Sequence, residues 1–486
     1  MASSMPVPKA VLIAAADDFA AAVKDFNGDP VKQRQLLKEA DRLRMLLETP
    51  MDVLTKQWEM SQCIAAMNLL VELDVLEAIP KQGSISSKDL AEIVKVDESA
   101  IARALKLVVI NGICTEPTPN SFALNANAFV FLRGAAREFF QFMIDQTGPF
   151  YKLPDYFRTH NQEDLYDLKK SPYAWAVGME GHDYYEAISS DPKKLHNFNF
   201  TMATSESVTP ILGMFPWASV KDQVEADPSR AFIVDIGGGR GQVLTAIQKE
   251  APNGFGSKMI LQDRPDVLAS VTDEDLPGVE KMPYDFFTPQ PVGNAHFYIM
   301  RRILHDFYIP VCKDLVKNIA NAMGPTSRFI IADMIMPEKV EMGTEITPYW
   351  MDFNLMMLNG TEKSKAQFEE ILDAAGLEIV KIYPFAFGCH ANIECRLKSA
   401  SSVYQVAVMP NERRLGDSGG AHRSRASTSH RIPRPAPSFG PPVSTPAMWR
   451  AYADAGSPTK EHAMIITRTT VLWRLVFRNS ASGWTT

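Results

Sequence analysis

The residues best suited to chemistry begin with one glycine-rich turn, Val234-Asp235-Ile236-Gly237-Gly238-Gly239-Arg240-Gly241. It joins a β-rich run, residues 231–236, to a helical one, residues 242–249. Glycines at such a junction let the backbone turn tightly and come close to a ligand. A dinucleotide fingerprint, GxGxxG, would need glycine at position 242, where Gln242 stands. Asp235, directly before the turn, would repel a pyrophosphate and suit a cationic ligand. These residue types disfavour NAD and favour a ligand carrying positive charge, with a bare structural turn as the alternative. Asp263 follows 28 residues after Asp235, the length of one βαβ unit. At the end of a second strand it can accept hydrogen bonds from both hydroxyls of a ribose; alone, such an acid is more often a loop cap.

These residues need a frame that brings strand ends together. From about residue 229 strands and helices alternate: strand-like runs at 231–236, 258–261, within 296–304 and at 328–333, and helical runs at 242–249, 311–323 and 365–375. A strand pair at 377–385 and 391–397 closes the pattern. Such alternation implies a parallel sheet covered on both faces, with ligands beyond the carboxyl ends of its strands. Upstream, residues 1–55 read as helical, and the leucines between 31 and 48 form a face that needs a partner. Residues 56 to about 135 read as helix, turn, helix and wing. Ser86-Ser87-Lys88-Asp89 and Asp97-Glu98-Ser99 open its two short helices, and 113–115 pairs with 121–124. Residues 150–225 are helical and rich in aromatics and Met.

Four motifs occur in a fixed order: the Asp235–Gly241 turn, Asp263, Tyr284-Asp285-Phe286-Phe287, and Arg301-Arg302-Ile303-Leu304-His305-Asp306-Phe307. In this they resemble the caffeate-type small-molecule O-methyltransferases, particularly the fungal enzymes of aromatic polyketide metabolism, over about residues 55–397. The resemblance implies an α/β fold, a class I S-adenosylmethionine-dependent methyltransferase domain with a Rossmann-like, seven-stranded sheet. It also implies an N-terminal winged-helix dimerisation domain, hence a homodimer. By resemblance Asp235 and the Gly237-Gly238-Gly239 turn face the methionyl end of S-adenosylmethionine, Asp263 the ribose, Asp285 and Phe286 the adenine, and Arg301 the cofactor.

The same resemblance places His305 as general base. A phenol of pKa about 10 is a weak nucleophile near neutral pH. A histidine of pKa about 6.5 can take its proton as the new bond forms, typically worth about 10²–10⁴-fold. Such a base needs an orienting acid. The candidates by resemblance are Asp333, where plant members carry Glu, and Glu362 in Asn359-Gly360-Thr361-Glu362-Lys363-Ser364; Asp306 is a local competitor. Phe307 replaces the family's frequent Trp. Trp350 and Met351, with Phe353, Met356 and Met357, sit where the family lines its acceptor pocket, and Met179, Met202 and Trp175 are partners from the helical region. For each of these core packing is the competing role.

Composition sets the bounds. The 486 residues are 46% apolar and 22% charged, enough for a large core. Net charge is −7, which argues against a nucleic-acid binder. The wing-bearing unit carries five Lys and Arg against five Asp and Glu between 84 and 133, with no electrostatic footprint for DNA. Five cysteines form no CxxC pair, so neither a disulfide framework nor a metal site is expected, and the cytoplasm is the default location. No run of 18 apolar residues spans a membrane. Residues 398–486 carry 12 Lys and Arg against 4 Asp and Glu and little periodicity, and are expected to be a disordered basic tail.

The expected division is therefore a helical dimer contact at 1–55, a winged-helix dimerisation domain at 56–150, a helical linker and substrate-pocket region at 151–228, and a cofactor-binding catalytic domain at 229–397. The expected activity is methylation of a phenolic hydroxyl on a small aromatic secondary metabolite. An inactive scaffold or regulatory dimer of the same fold is the alternative.

Overall fold

A computed structural model describes residues 7–399 except 135 and 387; apart from its first two residues, the expected tail lies outside the described residues. The chain begins with helices Lys9–Asp25, Pro30–Leu47 and Pro50–Glu72. Their starts are written locally. Asp29 accepts hydrogen bonds from the Val31 and Lys32 amides, Thr49 and Asp52 form a capping box, and a proline opens each of the last two helices. Helix Pro50–Glu72 runs across the boundary expected near residue 55, and Asp74, at φ +55°, breaks the chain into a new turn, Val75–Ala78.

Helices Ser87–Val94 and Glu98–Ile110, capped by Ser86 and Asp97, pack against this segment through Leu70, Leu90, Ile101, Leu105 and Phe122, all fully buried. The wing is a three-stranded sheet of β1 (Ile85–Ser86), β2 (Thr115–Thr118) and β3 (Ser121–Ala123), with β3 central. Helices Arg137–Tyr151, Tyr184–Ser189 and Pro192–Val208 follow and form a wall above the second sheet.

That sheet contains β4 (Ile233–Ile236), β5 (Met259–Asp263), β6 (Val279–Pro283), β7 (Phe297–Arg301), β8 (Arg328–Met336), β9 (Lys363–Ser364), β10 (Leu377–Pro384) and β11 (His390–Leu397). Its order is β10-β11-β8-β7-β4-β5-β6, with the two-residue β9 pairing with the end of β8. Strands β6 through β8 along this order are parallel, and β11 and β10 are antiparallel. All residues of β4 and β5 are buried, as expected for strands covered on both faces. One face packs around Tyr298, Leu315 and Phe368, the other around Trp217, Phe232 and Phe297. The edge strand β6 is absent from the sequence expectation, because Val-Glu-Lys-Met-Pro has no apolar alternation and ends in proline. No described helix is long and apolar enough to cross a membrane.

Candidate active site

The carboxyl ends of β4, β5, β7 and β8 meet on one side of the sheet. After β4 the chain turns through Gly237 (φ +68°) and Gly239 (φ +59°), a backbone conformation that side chains resist. At Gly238 the constraint is space: a Cβ would lie 2.5 Å from both Asp235 Oδ2 and Leu261 Cδ1. The Gly237 amide donates to the Gln262 carbonyl at 2.8 Å, and the Gly239 amide to Asp263 Oδ2 at 2.8 Å. Arg264 donates its amide to Asp263 Oδ1 at 2.7 Å. Burial pushes the Asp263 carboxyl up to about 6, against the pull of those two amides.

Phe286 comes within 3.6 Å of where a Gly237 Cβ would stand, and its ring packs against Phe287 and Phe307. Asp285 is exposed, with Oδ1 accepting from the Phe287 amide at 3.0 Å. Arg301 ends β7 and donates from Nη2 to the Thr209 carbonyl at 3.3 Å.

Beyond β7, Arg302 adopts φ +54° and leads into the turn Leu304–Asp306, which presents His305. A second segment clamps that turn. Asn359 reverses the chain at φ +69°, and Gly360 passes so close that a Cβ would lie 2.6 Å from the His305 carbonyl oxygen. Thr361 donates its amide to that same oxygen at 2.8 Å. Glu362 thereby arrives with Oε1 3.0 Å from His305 Nδ1, and its own amide donates to Asp352 Oδ1. Asp333, in β8, stops at 3.7 Å from the same nitrogen. On the other edge of the ring, Nε2 lies 3.5 Å from Asp306 Oδ1.

Of the two orienting acids, Glu362 makes the hydrogen bond and the shorter Asp333 falls outside hydrogen-bond reach. Burial sets the protonation chemistry. It lowers the His305 pKa below its ordinary value, opposed by Asp333 and Asp306. It raises Asp333 to about 6 and Glu362 to about 7, opposed chiefly by His305 at the first and by Lys363 at the second. An imidazole that is neutral at pH 7 and fixed by an acid at Nδ1 can accept a proton at Nε2. His305, Asp333 and Glu362 are all buried, and one side-chain atom from each lies within 4.8 Å of the others.

A cavity of about 470 Å³ joins the glycine turn to His305. Asp235, Gly237, Gly238, Gly239, Arg301, His305 and Glu362 line it, as do Met202, Trp350 and Met351. Met179 does not; it packs on the cluster of Leu153, Tyr173 and Tyr184. Trp175 stacks edge-on against Tyr156, and Met357 is fully buried in the core. The core-packing role therefore holds for these three.

Phe150, Tyr184 and Tyr185, from the aromatic-rich stretch that begins at residue 150, also line it. Phe139, Phe142 and Met143 from helix Arg137–Tyr151, and Arg302, fall outside the sequence expectation. The spacing 139, 142, 143 marks one face of a helix, which would have found the first three.

The O-methyltransferase domain family matches residues 150–378. The O-methyltransferase hmp5 of Hypomyces subiculosus is 36% identical over 389 residues, covering 79% of this chain and 97% of that relative. The O-methyltransferase afvC of Aspergillus flavus is 31% identical over 381 residues, covering 77% and 90%. Among solved structures, OxaC in complex with SAH and oxaline superposes with a TM-score of 0.67 at 26% identity, covering 80% of this chain and all of that one. The mitomycin 7-O-methyltransferase MmcR gives 0.53 at 25%, covering 71% and 96%.

Proposed function

From the premise that the chain belongs to the O-methyltransferase family and is an S-adenosylmethionine-dependent enzyme of the fungal secondary-metabolite type, we propose that it methylates a phenolic hydroxyl of an aromatic, polyketide-type acceptor, with His305 as general base. The observation that carries this is the buried imidazole on the cavity wall, held at Nδ1 by Glu362 at 3.0 Å.

When bound, S-adenosylmethionine supplies an electrophilic methyl group on a sulfonium. The residues fit it: Gly237, Gly238 and Gly239 bring backbone without side chains to the cavity wall, and two buried acids, Asp235 and Asp263, flank that turn to meet a cation and ribose hydroxyls. Asp235 with Gly237, Gly238 and Gly239 takes the methionyl end, Asp263 the ribose, Asp285 and Phe286 the adenine side, and Arg301 the rim. Met202, Trp350 and Met351 hold the acceptor ring by flat apolar contact.

His305 Nε2 takes the phenol proton as the oxygen attacks. Glu362, accepting the Nδ1 proton, keeps the lone pair on Nε2 and stabilises the imidazolium that forms, while Asp333 adds charge from 3.7 Å. The test is turnover of radiolabelled S-adenosylmethionine with a resorcylic acid, a hydroxynaphthalene and a hydroxyanthraquinone. At least one is methylated by the wild-type chain, and His305→Ala loses about 10²–10⁴-fold; a folded His305→Ala enzyme of undiminished rate overturns the assignment.

Residues 1–55 and 56–150 serve, in this proposal, as the dimer contact, 151–228 as the acceptor wall and 229–397 as the catalytic domain. The first helices support it with large apolar side chains left in water, including Leu47 and Leu54 at 65% exposure and Trp58 at 69%. Light scattering of the intact chain at twice the monomer mass is the expected result.

A further inference from the structure

Lys363 is fully buried, at 0% exposure, and does not line the cavity. A lysine rarely goes so deep, because an ammonium loses its hydration there and must recover it in hydrogen bonds. Its Nζ carries three donors. They go to the carbonyl oxygens of Leu304 at 2.6 Å, Phe307 at 2.7 Å and Thr361 at 2.6 Å.

The identity of those three acceptors matters. Leu304 and Phe307 are the residues on either side of His305 and Asp306, so the ammonium grips both ends of the turn that presents the base. Thr361 precedes Glu362, so the same ammonium ties that turn to the segment bearing the orienting acid. Lys363 itself is pinned by its strand: β9 pairs with β8, Ile335 opposite Lys363. Cys312 Sγ donates to the Leu304 and Phe307 carbonyls as well, from the helix beneath.

We propose that Lys363 is a positioning residue for the methyl transfer: it holds the His305 turn against the Glu362 segment and supplies the positive charge facing the buried acids. The proposal rests on His305 acting as the base.

The charged and titratable groups around this cluster are Lys363 itself, His305 and Asp306 on the clamped turn, Asp333 on β8, Glu362 beside Lys363, Arg302 before the turn and Cys312 below it, with Asp352 at the Glu362 amide, His390 on β11 facing His305 and Tyr185 facing Asp306. The two cations, Arg302 and Lys363 itself, face Asp333 and Glu362, and both favour the ionised carboxylates and the neutral imidazole. Without the ammonium the cluster binds protons more tightly, and the His305 turn is released at both ends.

The test compares the intact wild-type chain with Lys363→Met, both saturated with S-adenosylhomocysteine. The His305 ring is followed by NMR of ¹³C-labelled histidine and assigned from His305→Ala. The expected result is a His305 titration that moves up by about one pH unit. A fall in kcat of about 10- to 100-fold on the best acceptor of the phenolic panel accompanies it, with unchanged S-adenosylhomocysteine affinity. Should Lys363→Met not fold, Lys363→Gln, which removes the charge and keeps amide donors, is expected to show the same titration shift.

A folded variant with wild-type titration and kcat overturns the proposal, and so does one whose cofactor affinity falls in step with its rate. Wild-type turnover in His305→Ala would instead overturn the base assignment. An inactive His305→Ala beside an unaffected Lys363→Met overturns only the role of Lys363.

Discussion

Glu362 places Oε1 3.0 Å from His305 Nδ1 across 57 residues of sequence, while Asp333, aimed at the same nitrogen, stops at 3.7 Å. The two acids are therefore not equivalent. Losing the charge at a hydrogen-bonded acid is worth about 1.5–3 kcal/mol. Glu362→Gln is expected to lower kcat about 10- to 100-fold, and Asp333→Asn by clearly less. Steady-state kinetics of the two variants at one pH check the order.

Cofactor affinity is expected to depend on pH through Asp263. Its carboxyl is raised from 3.8 to about 6 by burial, and ribose hydroxyls donate best to the ionised form. Affinity is then full above that value and falls as pH drops through it, by about tenfold from pH 7 to pH 5. Calorimetric titration with S-adenosylhomocysteine across that range reads it directly. Asp263→Asn is expected to bind more weakly at pH 7 and to lose the pH dependence.

Gly238→Ala is expected to cost both stability and cofactor affinity, because its Cβ would sit 2.5 Å from Asp235 Oδ2 and Leu261 Cδ1. Overpacking of this kind costs about 1–3 kcal/mol. Gly148, within helix Arg137–Tyr151 and with nothing within 4 Å of a Cβ, is the matched control. Thermal melts and S-adenosylhomocysteine titration of the two alanine variants should separate them.

Ending the chain after Ser399 is expected to leave S-adenosylhomocysteine binding at the full-length value. β11 is complete by Leu397, and the Lys398 amide already donates to the Gly376 carbonyl at 2.9 Å. Loss of binding in the shortened chain would show that later residues support the sheet.

The glycine turn on the cavity wall was legible in the sequence because it is one short segment. Gly237 to Gly241 read as a tight loop after a strand, and Asp263 follows at βαβ distance. The fold was legible for a related reason, since β4, β5 and β7 are apolar runs bounded by polar turns. The clamp on His305 was not. Gly360, Thr361 and Lys363 act through contacts with backbone carbonyls 55–59 residues away, and a carbonyl has no sequence signature. The place of Met179, packed on the cluster that holds Tyr173 and Tyr184, was not legible for a different reason: methionine serves a core and an apolar pocket equally well. Asp333 and Glu362 could not be ranked from sequence, because one methylene of reach separates them and the strand geometry settles which side chain arrives.

The most direct test of base catalysis is the ratio of single-turnover rates, wild type over His305→Ala, measured on one phenolic acceptor from pH 7 to pH 10. A phenol ionises unaided near pH 10. If His305 removes its proton, the ratio is expected to be about 10²–10⁴ at pH 7 and to shrink steadily as the acceptor becomes phenolate. A ratio near one at pH 7, or one that stays constant across the range, would contradict proton abstraction by His305.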